Sequence, residues 1–164
     1  MKVLRLFFFL SALLLAGSCA AESGPLCKRD SPEWQNMQED TIILRSNNGA
    51  THAINVKIAD TSETRKLGLQ HLCADIVLEA GLLFIFPRSA RHIFHMRNVR
   101  TDLDIAFISD KGWIVEVRTM HQNRYVKYTS HKPYMYALEV SGGRLHQLGL
   151  SEGLWRVTSL IERR

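Results

Sequence analysis

The densest run of chemically capable side chains lies between positions 92 and 104, where His92, His95, Arg97, Asn98, Arg100, Asp102 and Asp104 crowd together. Two imidazoles spaced as His92-x-x-His95, joined by Asp104, are donor types that a divalent transition ion accepts. Strand alternation argues against that set. Ile93, Phe94 and Met96 give the segment a strand-like texture, and on a strand positions 92 and 95 point to opposite faces. No metal site is therefore expected. His121 and His131 lie in a later polar loop, with no spacing that requires them to join one.

Asp104 sits between Leu103 and Ile105 in a run that is apolar on both faces, where an ionised carboxylate needs a partner. Two accounts of it stand at this level. It can accept backbone N–H groups of a turn and lock a hairpin, since buried polar groups are generally satisfied locally. It can instead line a small polar pocket with Arg97 and Asn98, receiving a charge-assisted hydrogen bond from Arg97 or Arg100. Glu139, between Leu138 and Val140, poses the same question in a second apolar run. Two half-buried acids are also the makings of a general acid and base, as a hydrolase would use. The ligand-binding candidates are thus Arg97, Asn98, Asp104 and Glu139.

Other chemistries have less support. The sequence has no Gly-x-Ser-x-Gly elbow and no phosphate-binding glycine loop, and it implies no cofactor. Phe84, Phe86, Phe94, Phe107 and Trp113 read as core by burial preference. Tyr125, Tyr128, Tyr134 and Tyr136, near a Lys/His-rich loop, read as an exposed contact surface.

The elements that must position these residues are short strands with regular turn signals. Thr41 to Arg45 and Ala53 to Ala59 are joined by Asn47-Asn48-Gly49, whose residues tolerate positive φ. Thr61 offers an N-cap to an amphipathic helix containing Leu67, Gly68 and Leu69; a glycine there points to a close packing contact. Further strands are expected at Gly81 to Phe86 (closed by Pro87), His92 to Arg97, Leu103 to Ile108, Trp113 to Met120, Tyr134 to Val140 and Leu154 to Ile161. A brief helix is expected near Arg144 to Leu148. Many short strands with one or two short helices predict a mostly-β, compact, barrel-like single domain over residues 41–164.

Several phrases of this chain carry a resemblance when read in order. They are Arg65-Lys66-Leu67-Gly68-Leu69-Gln70, Gly81-Leu82-Leu83-Phe84, Phe94-His95-Met96-Arg97-Asn98-Val99, Asp102-Leu103-Asp104-Ile105 and Leu138-Glu139-Val140-Ser141-Gly142. Over roughly residues 40–163 the sequence resembles domain-of-unknown-function family 192, also called uncharacterised protein family 0127. The resemblance implies a compact, mostly-β barrel-like fold and no particular activity. Gln70, His95, Val99 and Asp102 depart from the pattern, which has Met, Trp, Thr and Pro there.

The N-terminus reads as an export signal over residues 1–21. Lys2 and Arg5 lead a Leu/Phe-rich run too short to span a bilayer, which takes about 20 residues, and Gly17 to Ala21 supply small residues at its exit. Ala16-Gly17-Ser18-Cys19 resembles a lipobox, so Cys19 is the expected lipidation site; cleavage after Ala20 or Ala21 is the rival route. Either route leaves Cys27 and Cys73 as the available pair. An oxidising compartment permits a disulfide between them, and two unpaired thiols are the alternative. Residues 22–40, with Pro25 and Pro32, read as a flexible tether on which only Trp34 packs back on the body.

Removing Lys2 and Arg5 takes the formal charge from +5 to +3. No basic stripe with interleaved aromatics points to nucleic acid. Mild basicity suits anionic lipid headgroups instead. The sequence therefore favours a periplasmic or cell-surface binding or accessory module over an enzyme. Its expected partners are a membrane, reached through a lipid anchor, and a small polar ligand or envelope protein. A hydrolase using paired carboxylates and a purely structural envelope protein are the alternatives.

Overall fold

The computed structural model describes residues 27–29, 31–122 and 125–159. The segment expected to be an export signal, Cys19 and the start of the expected tether lie outside the described residues. Seven strands form one sheet: β1 (Glu39–Ser46), β2 (Thr51–Ala59), β3 (Gly81–Ala90), β4 (Leu103–Ile108), β5 (Ile114–Met120), β6 (Tyr134–Ser141) and β7 (Trp155–Val157). Their order is β5-β4-β6-β3-β2-β1-β7. All neighbours run antiparallel except β2 and β3. A parallel pair needs a crossover, and the chain supplies one with α2 (Ser62–Leu67) and α3 (Ala74–Glu79). The remaining helices are α1 (Pro32–Gln35) and α4 (Arg144–Gln147), so the described residues hold four short helices where one or two were expected.

The sheet curls into a half-barrel until its two edges meet at one end. There Val157 N donates to Gly112 O (2.9 Å) and Gly153 N to Ile114 O (2.9 Å). Curling gives each strand two apolar environments. The inner face gathers Ile42, Leu44, Ile54, Val56, Leu138 and Val140. The outer face gathers Leu82, Phe84, Ile105, Phe107 and Ala137 beneath the helices and the 91–99 segment. All six residues of β4 are buried because both of its faces are covered.

Residues 31–40 are not a tether. Ser31 caps α1, and Trp34 and Met37 are buried in the outer core. Lys57 holds this arm in place: its ammonium lies 5.5 Å from the centroid of the Trp34 ring and 2.7 Å from Glu39 Oε1. The apolar residues Trp34 and Met37 outweigh the polar composition that suggested flexibility, because covering the outer face buries them.

The strand expected at His92 to Arg97 does not form. β3 runs on through Pro87 to Ala90, with a register shift between Ile85 and Ala90 that accommodates a residue lacking an N–H. The 92–97 stretch then crosses the outer face as an irregular segment, paired only where Phe94 and Tyr128 exchange backbone hydrogen bonds of 2.8 and 2.9 Å. Phe94, Met96 and Val99 seal the core from it. The last strand is also shorter than expected, covering Trp155–Val157.

Gly68 is the C-cap of α2 rather than an interior residue. A Cβ there would sit an ordinary 3.8 Å from Phe84, so packing does not demand glycine; its φ of 54° does. Gly142 is the close approach. A Cβ there would lie 2.9 Å from the Asp102 Cβ, where Gly142 N donates to Asp102 O (2.9 Å).

Candidate functional site

A pocket of about 310 Å³ opens on the outer face between α2, the 92–99 segment and the sheet. Its volume is at the lower end of the range of small-molecule sites, roughly 300 to 1,000 Å³. Phe84 and Phe86 of β3 and Phe94 of the crossing segment are its aromatic walls, with Phe84 and Phe94 edge to face at 5.0 Å. α2 ends in the left-handed Gly68, which turns the chain so that Leu69 and Gln70 also reach the lining while Arg65 and Lys66 stand over it. Glu139 of β6 is the acid among the lining residues.

Glu139 is 5% exposed, and among the described residues its carboxyl has no hydrogen-bond partner. Burial alone drives its pKa, pushed up to about 8, because ionisation in a low-dielectric setting is unfavourable. At neutral pH the group is mostly the neutral acid. Beside it, His92 stacks on Phe86 with centroids 3.7 Å apart and planes 10° from parallel. Burial lowers its pKa first, with Arg65 and Arg88 adding to the effect against a hydrogen bond to the Arg88 backbone. Its Nε2 is buried without a partner. Arg65 is fixed above: Nη1 donates to Ile85 O (2.9 Å) and to Asp60 O, and the guanidinium lies 5.7 Å from the Phe86 centroid.

Of the four residues singled out from sequence, only Glu139 lines this pocket. Asp104 is fully buried on the opposite side of the sheet. Its Oδ1 accepts from Thr119 Oγ1 (2.8 Å) and its Oδ2 from Leu145 N (3.0 Å) at the start of α4. Its donors come from β5 and from the start of α4, 41 residues along the chain, rather than from a neighbouring turn, and neither Arg97 nor Arg100 is needed. Arg97 is exposed outside the lining. Asn98 stands at φ 60°, reaches Gln70 Oε1 at 3.5 Å and accepts from His71 N (2.8 Å), so it bears on the pocket only through Gln70.

Strand register separates the two acids. Asp104 is opposite Val140 while Glu139 is opposite Ile105, so the carboxylates project from opposite faces. A paired-carboxylate mechanism has no geometry here. His92 and His95, by contrast, line the same pocket, because the segment that carries them is irregular and strand alternation does not apply. Among the described residues no three His, Cys, Asp or Glu side chains converge as metal ligands.

The tyrosines also differ from expectation. Tyr128, Tyr134 and Tyr136 are buried and only Tyr125 is exposed. Tyr134 explains why: its hydroxyl donates to His92 O (2.8 Å), which lets an amphipathic ring enter the core. Cys27 and Cys73 are joined by a disulfide, S–S 2.05 Å. It fastens the arm beside α3, where Lys28 N donates to His71 O (2.7 Å) and Cys73 N to Lys28 O (3.2 Å).

Residue types alone did not reveal Arg65, Gly68, Phe84, Phe86, His92 and Phe94 as a site. A signal was nevertheless present. Arg65, Gly68, Phe84, Phe94 and Glu139 come from four separate phrases of the family pattern, and folding brings all five to this one pocket. Three of the four departures from that pattern, Gln70, His95 and Val99, line it as well.

Residues 43–155 match the model of the family described as DUF192, Uncharacterized ACR. Among solved structures, a protein from Sinorhizobium meliloti described as a candidate transcription regulator is 25% identical, with a TM-score of 0.68 over 74% of this chain and 95% of that one. A protein of unknown function from Novosphingobium aromaticivorans is 22% identical, with a TM-score of 0.66 over 83% of this chain and 93% of that one, a likeness of fold. No curated protein matches the chain.

Proposed function

The chain belongs to the uncharacterised DUF192 family, and from that premise we propose that it is an extracytoplasmic, membrane-tethered module that binds a small polar ligand over Glu139. The partnerless acid carries this reading. A largely buried acid that lines a cleft, with no ion pair among the described residues, costs the fold stability, whereas an ionisable group with a perturbed pKa in a cleft suits a binding site. The convergence of dispersed family phrases on the same pocket supports it further. Changes from Met, Trp and Thr to Gln70, His95 and Val99 fit a member whose ligand differs from that of its relatives.

The compartment rests on other features. Export over residues 1–21 and a lipid on Cys19 would leave the domain beside a membrane, and the Cys27–Cys73 disulfide favours an oxidising setting. A transcription regulator's role, as described for the Sinorhizobium neighbour, has less support, because the export signal and the disulfide both favour a compartment outside the cytoplasm.

Mass spectrometry of the protein released gently from membranes tests both halves. The expected spectrum has an acylated Cys19 as first residue, an oxidised Cys27–Cys73 pair and, under native conditions, a small-molecule companion that denaturation releases. A protein recovered only from the soluble fraction, unacylated and without a companion mass, refutes the proposal.

A further inference from the structure

We infer that the pocket takes an uncharged or anionic small molecule with an apolar body, whose carbonyl- or carboxylate-type oxygen accepts a hydrogen bond from the acid form of Glu139. This rests on the reading of the pocket as a binding site and adds the class of its occupant.

Three observations select that class over an organic cation, the usual guest of aromatic walls around a carboxyl. First, the cation–π position is already taken: the Arg65 guanidinium lies over Phe86, whose ring also stacks on His92. Second, the charges around the lining are positive. Arg65 and Lys66 stand on α2 at the mouth, and Arg88, within the register shift of β3, is close enough to His92 to act on its charge. Such a mouth repels an ammonium ion and draws in an anion. Third, among the described residues no cation pairs with Glu139, which is more buried than the Arg65 and Lys66 side chains at the mouth and lies beside Leu82 and Ile105 of the neighbouring strands. A buried acid without a counter-charge holds its proton. It is then a donor lining a cleft with aromatic walls, the arrangement in which a neutral carboxylic acid stabilises a ligand oxygen.

The groups around Glu139 bear on its titration. β4 and the first part of β3 offer Leu103, Ile105, Phe107, Leu82 and Phe84 on its face. β6 adds Tyr134, whose own pKa is raised chiefly by burial, with Glu139 contributing. His92 and His95 come from the crossing segment. On β5, two strands away, Glu116 and Arg118 share this face and pair with each other. On α3, Asp75 pairs with Arg29, and Glu79 is exposed. His92 is held toward its neutral form by burial. Lys57, on the same face two strands away on β2, pairs with Glu39, and Arg65 is held by Asp60 O and Ile85 O. Among the described residues, none of these cations therefore pairs with Glu139.

The test uses three probes of one shape: benzamide, benzoate and benzylammonium. Each is titrated into the 15N-labelled protein, with amide shifts of Gly68 and Val99 as the readout. Benzamide and benzoate are expected to move these amides at pH 7 and benzylammonium to leave them unmoved. Because binding needs the acid form and the Glu139 pKa is about 8, benzamide affinity should fall about tenfold from pH 7 to pH 9, as the competent fraction does. Glu139→Gln keeps a donor and removes the titration, so its benzamide affinity should be level over that range. Preferential binding of benzylammonium that tightens with pH overturns the inference and leaves a binding pocket standing. Wild-type benzamide affinity that is level with pH overturns it too, since Glu139 is then not the donor. If none of the probes moves either amide, the binding reading falls with it.

Discussion

Replacing Glu139 by Gln should make the protein more stable at pH 8.5 and leave it no more stable at pH 5. The folded-state pKa is about 8 against an ordinary 4.5, with burial as the cause. Between those values the unfolded chain gives up the proton and the folded chain keeps it. The folded state then binds more protons, so unfolding free energy falls as pH rises through this window and levels off above about 8. The difference of about 3.5 pKa units corresponds to at most roughly 5 kcal/mol, at 1.36 kcal/mol per unit. The Glu139→Gln variant would carry a buried amide without partners, at a cost of about 1–3 kcal/mol at every pH. It should thus be slightly weaker than wild type at pH 5 and stronger by about 2–3 kcal/mol at pH 8.5.

Two other groups titrate nearby in pH and are separated by taking the difference between the proteins. His92 has a lowered pKa, so it contributes a rise in stability toward pH 6.5 in both. Glu116 is lowered to about 2 despite burial, by hydrogen bonds from His131, Arg118 and Ser130, so its contribution is lost only as pH falls below 4.5. Urea unfolding of both proteins at half-unit steps from pH 5 to 8.5 is the assay. Parallel curves across that range would refute the argument, because a carboxyl that ionises normally in the fold has no window to lose.

Asp104→Ala should cost roughly 3–6 kcal/mol in denaturant unfolding, since two hydrogen bonds to a buried carboxyl group are lost, each worth about 1.5–3 kcal/mol. Benzamide affinity should be unchanged in a folded sample; weakened binding would return Asp104 to the site. The double variant Cys27→Ser, Cys73→Ser releases a link across 46 residues, worth about 4 kcal/mol by loop-closure entropy. Its thermal midpoint should drop, and limited proteolysis should reach the segment before Ser31 in the variant first. Equal midpoints for variant and wild type would mean that the arm is held by Trp34, Met37 and the Lys57 contacts without the disulfide.

The strands were legible where alternation and turn chemistry agreed. Asn47-Asn48-Gly49 joined β1 to β2, with Gly49 at φ 91°, and Leu103–Ile108 appeared with the expected bounds. Legibility failed where packing decided. The 92–97 stretch has strand composition, yet β6 already occupies the edge of β3 beside it, so its residues cap the outer core instead. That one error hid the site, because alternation sends His92 and His95 apart while the irregular path brings them together. α1 was hidden for a related reason. Pro32 and the polar residues around it suggest a tether, while the gain from burying Trp34 and Met37 depends on a surface built from residues far along the chain.

The pair Asp104 and Glu139 shows where local sequence stops being informative. Each is an acid between two aliphatic residues in a central strand, and the two strands are neighbours. Their fates differ because of phase. The offset of one position that sets Asp104 against Val140 and Glu139 against Ile105 turns the first inward and the second outward. At the inner end the start of α4 supplies the Leu145 N–H, which joins the Thr119 hydroxyl on Asp104, so that acid is satisfied in full. On the outer face the crossover and the 92–99 segment meet over Glu139 and leave a cleft, whose polar side chains Arg65, Gln70, His92 and His95 make no ion pair or hydrogen bond with it among the described residues. Nothing in the residues flanking either acid encodes this difference. It follows from how the sheet closes and from what covers each face, so a similar local motif yields a structural clamp on one side and an unsatisfied donor on the other.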